Sequence, residues 1–311
     1  MCYSAQVWQS YRDYVREFGA VIDVHEFALL YGHRKNGAKS KIPKGMDAAF
    51  AEPKGELEHQ IHVMIQDWNG QQVSKLEQEL FKQTKRRNDA ERTLLTKETK
   101  KAREDLRIAG DKIEQIKEWL ADLNRAETIP GKDNLIFPMS YCPVMISENG
   151  QRVVRPMRYL LRPPGAPPSF DFDKNRNGTY NARRDNVTKF WRKEFGYNHG
   201  LVVADTFYEN VQDEQGKNLK LKFTPRTGEP MLIACLWAKW LGSDGEHLYS
   251  FAAITDEPEP EVAAAGHDRT IINIKPEHID AWLNPNPNNL EALFAIFDDK
   301  RHPYYEHRMA A

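Results

Sequence analysis

From Gly55 to about Thr128 the sequence holds almost no proline or glycine and is dominated by Glu, Lys, Gln and Arg, a composition that favours helix over any other regular structure. Leu57, Ile61, Met64 and Trp68 fall on one helical face, and Asn69-Gly70 is expected to end that helix with a left-handed stop. Val73, Leu76 and Leu80 resume the pattern, which thins through Lys82–Arg103, where charges occupy nearly every position. Asp111 followed by Glu114 predicts a fresh helix start, with Ile113, Ile116, Leu120 and Leu123 as its apolar stripe. The expectation is a helical insertion at 55–128, either a solvated structural piece or a surface for a protein partner.

The flanks read differently. Tyr11, Tyr14, Val15 and Phe18 predict a short amphipathic helix within Ala5–Phe18 that stops at Gly19. Arg34-Lys35-Asn36-Gly37-Ala38-Lys39 reads as a solvated basic turn. Beyond Pro130 the texture is β-type. Val144-Met145-Ile146, the turn Glu148-Asn149-Gly150 and Val153-Val154 predict a hairpin. Leu201–Ala204, Leu221–Phe223, Met231–Trp237 and Tyr249–Ile254 are further strands, Pro276–Leu283 is helical, and Arg301–Ala311 is expected to be a poorly ordered tail.

A chain of 311 residues can bury a sizeable core, and its formal net charge of −1 means that a nucleic acid would be held by a local basic patch. With no apolar run of membrane-spanning length and no signal-peptide layout, a cytoplasmic location is expected, or a nuclear one in a eukaryote. Cys2, Cys142 and Cys235 have no short spacing, so neither a disulfide framework nor a cysteine zinc site is expected. The pairs His59/His62 and His302/His307 lack further ligands, and neither metal nor cofactor is expected.

Cys2 follows the initiator Met1 and becomes a 1,2-aminothiol if Met1 is trimmed. An α-amine of pKa about 7.7–8.0 beside a thiol of about 8.5 leaves both nucleophiles partly deprotonated near neutrality. The amine condenses with an aldehyde and the thiol closes a thiazolidine.

Further along, Asn181-Ala182-Arg183, the segment Ala204–Glu209, Gly228–Trp237, and His267-Asp268-Arg269 followed by Ala281-Trp282-Leu283 stand in that order after Met1-Cys2. In this set the chain resembles the SRAP family, the SOS-response-associated peptidase or abasic-site-processing proteins, over the N-terminus and roughly 137–285. The segment Met157–Pro163 is similar to the one that precedes the family's Asn-Ala-Arg motif. Tyr3-Ser4 replace the Gly-Arg that commonly follows Met-Cys, and Tyr159-Leu160 stand where Trp-Gly is common.

The resemblance implies an α+β fold, a compact and largely β barrel-like body with peripheral helices, as one domain over 1–311. It implies a monomer that traps abasic sites in single-stranded DNA as a covalent crosslink through Cys2, with release of Met1, associated lyase character and no membrane role. Asn181 would orient the Cys2 amine or the sugar, Glu209 would shuttle protons, and His267 would act as a second acid/base. DNA contacts are implied at Arg158, Tyr159, Arg162, Arg183 and Arg269. Lys174, Arg176, Arg183, Arg184, Lys189, Arg192 and Lys193, interleaved with Tyr180, Phe190 and Trp191, have the composition of a single-strand-binding surface. A thiol peptidase with Cys2 as nucleophile and His267 as base, and a non-covalent nucleic-acid-binding protein, are the alternatives.

Overall fold

The computed structural model describes residues 4–173, 178–212 and 215–310. The chain begins with strand β1 (Ser4–Val7), helix α1 (Tyr11–Phe18), the short β2 (Val21–Ile22), α2 (Val24–Lys35) and α3 (Lys44–Ala48). Two long helices follow, α4 (Glu56–Thr96) and α5 (Lys100–Asn124), then α6 (Pro130–Asp133) and β3 (Leu135–Ile136). The body continues with β4 (Tyr141–Glu148), β5 (Gln151–Tyr159), β6 (Asn181–Arg183), β7 (His199–Gln212), β8 (Asn218–Pro225), β9 (Met231–Leu241) and β10 (His247–Asp256). It ends with α7 (Pro260–Ala264), β11 (Thr270–Ile271), α8 (Ile279–Leu283), α9 (Leu290–Asp298) and β12 (Tyr305–Met309).

Five strands close on themselves in the circuit β10-β5-β4-β7-β9, with β9 returning to β10. The junction of β5 with β10 is parallel and the other four are antiparallel. Closure removes the open edges a five-stranded sheet would present. The hairpin expected at Glu148-Asn149-Gly150 forms with Asn149 at φ 52 and Gly150 at φ 77, the left-handed pair that a tight two-residue turn requires.

Alternate residues along each strand pack on different cores. Val144, Met157, Val202, Ile233 and Cys235 fill the barrel interior, while Met145, Val154, Val203, Ala234 and Leu236 face the helices outside. Burial on both faces explains why the strands read as continuous apolar runs without alternation. Tyr14 of α1 is fully buried; its hydroxyl donates to the Pro143 carbonyl and accepts from the Val203 N–H, at 3.2 and 3.1 Å. Pro143 lies opposite Pro156, so this point of the ladder has no N–H to offer from either strand.

The 55–128 region is a hairpin of two helices. Contrary to the expected stop, α4 runs through Asn69-Gly70 for 41 residues, about 60 Å. A glycine inside a helix costs only about 1 kcal/mol, and packing of α5 along α4 outweighs it. The second helix begins at Thr99, whose hydroxyl caps the Ala102 N–H at 3.1 Å, and not at Asp111. Arg34, expected in a solvated turn, is buried at the root of this arm. Its guanidinium lies between the Tyr31 and Trp68 rings, 4.8 and 4.4 Å from their centroids, and pairs with Asp47 at 3.0 Å.

Two further expectations are corrected. Ala5–Val7 belong to a strand, with helix only from Tyr11. The tail is no loose end: β12 pairs with β8 from Tyr305 opposite Pro225 to Met309 opposite Leu221, and the buried Tyr305 ring stands edge-on to Phe207 at 5.1 Å. Among the described residues no helix is long and apolar enough to cross a membrane.

His199 at the start of β7 is buried against Trp282, 3.8 Å between ring centroids, and burial pushes its pKa down to about 3. Since the unfolded imidazole titrates near 6.5, the unfolded chain binds the extra proton as pH falls below that value. Unfolding free energy is therefore expected to drop by about 2 kcal/mol from this residue between pH 7 and pH 5. Urea titrations at the two pH values check this, because His199→Gln should show a correspondingly smaller drop.

Candidate active site and nucleic-acid interface

Strand β7 outlasts its barrel partners and continues between β1 and β8, which brings Glu209 to a buried position opposite Leu221. The loop after α7 turns at Gly266, φ 89, and places His267 with Nε2 3.1 Å from Glu209 Oε2. The other ring nitrogen, Nδ1, lies 3.0 Å from the Arg269 carbonyl oxygen, which fixes the ring plane. Both side chains are almost wholly buried. Burial pushes the Glu209 carboxyl above its ordinary pKa, and its hydrogen bond with His267 pulls part of the way back. A buried carboxyl hydrogen-bonded to an imidazole is suited to pass a proton in either direction.

Asn181 opens β6, which lies parallel to β10 with Asn181 opposite Ala253. Its side-chain oxygen accepts from the Tyr159 hydroxyl at 3.2 Å, which orients the amide. Tyr159 itself is buried, stacked on Phe251 with centroids 5.1 Å apart and edge-on to Tyr180 at 5.9 Å. The residue expected to touch DNA is thus inside the barrel, where it orients Asn181. Its neighbour Leu160 has φ 137, a backbone region at ease only for glycine, at the position where glycine is common in the family it resembles.

Arg158 and Arg162 are likewise corrected. Both are buried and both bind Asp171: Arg158 Nη1 at 2.7 Å and Arg162 Nε at 3.1 Å. Burial alone would raise the Asp171 carboxyl, but the hydrogen bonds from the two arginines hold it below its ordinary pKa. Arg162 also lies over the Trp240 ring, 4.5 Å from its centroid. These guanidinium groups are consumed by the interior. Trp191, expected among base-stacking aromatics, is also in the core, while Phe190 is half exposed.

Arg183 and Arg269, both expected as DNA contacts, are brought to one cleft. Thr255 of β10 is paired with Arg183 on one side and Ile271 on the other, which gathers the two motifs at one end of β10. Both arginines line a cleft of about 310 Å³ with Thr255 and Phe294. Arg183 is exposed, with Asp185 as its ion-pair partner at 2.9 Å, while Arg184 is tied to Asp256 at 3.1 Å and to Asp298. Cys2, Lys174 and Arg176 lie outside the described residues. Among the described residues no group of three or more His, Cys, Asp or Glu side chains could hold a metal ion.

Sequence reasoning missed the Tyr159–Asn181 hydrogen bond and Asp171. Tyr159 and the two arginines were visible, but their partners are fixed only by barrel closure.

The family model described as SOS response associated peptidase (SRAP) matches residues 91–308. An abasic site processing protein of Bacillus subtilis, YoaM, is 25% identical over 168 residues, covering 52% of this chain and 72% of that protein. Another from the same organism, YobE, is 25% identical and 74% covered, and YoqW of Bacillus phage SPbeta is 24% identical and 73% covered. Among solved structures, a Bordetella bronchiseptica protein superposes with a TM-score of 0.47 at 20% identity, over 60% of this chain and 90% of that one. A Bacteroides thetaiotaomicron protein gives 0.49 at 17% identity, over 57% and 77%.

Removing the charge that holds the two buried arginines should be costly. Asp171→Ala is expected to lower unfolding free energy by about 3–5 kcal/mol, since it strands two guanidinium groups in the interior. A urea titration with a loss below about 1 kcal/mol would contradict the interior role of this cluster.

Proposed function

Because this chain belongs to the SOS response associated peptidase (SRAP) family, we propose that it processes abasic sites in DNA by trapping them covalently through Cys2. The domain is one unit over 1–311 with the hairpin of residues 55–128 inserted in it. The observation that carries the reading is the buried Glu209–His267 pair, 3.1 Å apart, with Glu209 on the strand that β1 joins. Ser4 of β1 stands opposite Tyr208, and Cys2 precedes Ser4 by two residues, a span of at most about 7 Å. The relatives named as abasic site processing proteins add support.

The chemistry follows from the groups. Loss of Met1 frees the Cys2 amine. Glu209 and His267 move protons as the abasic sugar opens to its aldehyde. The neutral amine adds to the carbonyl carbon, water leaves, and an imine forms. The thiol sulfur then adds to the imine carbon, its proton passes to nitrogen, and the thiazolidine ring closes. Asn181, oriented by Tyr159, offers its NH2 group to the sugar or its phosphate. Arg183 and Arg269 supply phosphate contacts from the cleft beside β10. If the imine instead loses a C2 proton, the 3′ phosphate departs, which gives strand-cleaving lyase character. A single strand suits the site because the reacting sugar must be reached outside a base stack.

Intact mass after mixing with single-stranded DNA bearing one abasic site tests this. The expected result is a chain lacking Met1 plus one DNA-sized adduct, absent in Cys2→Ala and formed at least tenfold more slowly in Glu209→Gln. Crosslinking should slow as pH falls below about 7.7, where the attacking amine becomes protonated. An undiminished adduct in Cys2→Ala would overturn the mechanism.

A further inference from the structure

The helical arm separates its charges along its length. Ion pairing of Arg86 with Asp105 sets the antiparallel register of α4 and α5, so residues 82–109 form the distal part. That part holds ten Lys or Arg against five Asp or Glu, whereas residues 56–81 and 110–124 hold three lysines against nine acids. A chain with a formal charge of −1 thus concentrates +5 at the tip of its arm and −6 on the arm's proximal part. Packing of two helices requires no such separation.

Four of the five tip acids are already engaged. Asp105 pairs with Arg86 at 2.5 Å, Glu91 with Arg87 at 3.6 Å, Asp89 with Arg92 at 3.7 Å, and Glu98 with Arg103. Lys85, Lys97, Lys100 and Lys101 are exposed, and among the described residues none of them is ion-paired. A groove of about 480 Å³ runs between the two helices here, with Lys82, Lys85, Arg86 and Lys101 on its walls and the small Ala90 and Ala102 among its lining. Small residues let the helices approach, so the lysines project from a narrow rod.

We propose that the distal arm is a second nucleic-acid contact, which binds the phosphodiester backbone of DNA away from the lesion held at the barrel. Repeated, unpaired, mobile ammonium groups match a row of phosphates, and the acidic proximal part of the arm keeps the strand from lying along its whole length. The tip begins 26 residues beyond Glu56, about 40 Å along the helix, or roughly twelve duplex steps of 3.4 Å. This rests on the DNA reading above but on none of its covalent chemistry.

The test is binding of the full chain to undamaged oligonucleotides, single-stranded and duplex, across a salt series, in wild type and the triple variant K85Q/K100Q/K101Q. Glutamine keeps helix propensity close to that of lysine. Loss of three phosphate contacts should flatten the slope of log affinity against log salt by about 2–3 and weaken binding at low salt about tenfold or more. Adduct yield at saturating abasic strand should stay at the wild-type level. The form of DNA that loses more affinity identifies which backbone the arm holds. Equal slopes in wild type and variant overturn the proposal, as does a loss confined to an acidic protein partner or anionic vesicles. Wild type that binds no DNA sinks this proposal and the trapping mechanism together. Wild type that binds and traps, with a variant of unchanged slope, sinks only this one.

Discussion

Two parallel residue pairs, Arg158 with Ser250 and Tyr159 with Phe251, close the barrel, and the geometry of the site hangs on that seam. On one face of β5 the seam stacks Tyr159 on Phe251 and so sets the hydroxyl that holds Asn181. On the other it directs Arg158 to Asp171, where Arg162 arrives from just beyond the strand. The backbone at the seam is pinned too: Leu160 N–H bonds to Phe251 O at 3.1 Å, and Arg162 N–H to Ser250 Oγ at 2.9 Å. A non-glycine residue at φ 137 persists there because so many bonds over-determine it.

The same closure creates the dielectric setting of the acid/base pair. Glu209 lies on the stretch of β7 that has left the barrel circuit, paired with β8 one residue past the end of the β1 pairing, and it is buried without being central. This placement raises the proton affinity of the Glu209 carboxyl, as a solvated position would not. The exposed Arg183, at the end of β6, and the partly buried Arg269, just before β11, are brought to β10 from its two sides. The Glu209–His267 pair and the two arginines therefore come from different strands and loops of one scaffold.

Local signals were legible wherever local chemistry decides the outcome. Asn149-Gly150 forces its turn, Gly19 ends α1 at φ 61, and the apolar runs 144–146 and 201–204 need burial on two faces. Signals failed where tertiary packing overrules them: Asn69-Gly70 does not stop α4, because α5 lies alongside and continues the buried stripe. Charged residues were the hardest to place. Arg34 and Arg162 read as surface cations, yet each is neutralised by an aspartate, Asp47 or Asp171, that periodicity gives no reason to pair with it. Glu209 and His267 were recognisable by motif, while their direct contact, 58 positions apart in sequence, was not.

Strand β12 follows the same logic in reverse, since only Tyr305 of its five residues is buried and the pattern carries almost no strand signal. What β12 covers is the far side of β8, whose Leu221 and Phe223 point into the barrel core while its backbone would otherwise face water. It acts as a sacrificial cuff. Clipped away by a protease, it would leave a row of open amide groups beside an apolar strand, a template for pairing between molecules. The first sign of damage to this protein would then be self-association, with the acid/base pair still intact inside it.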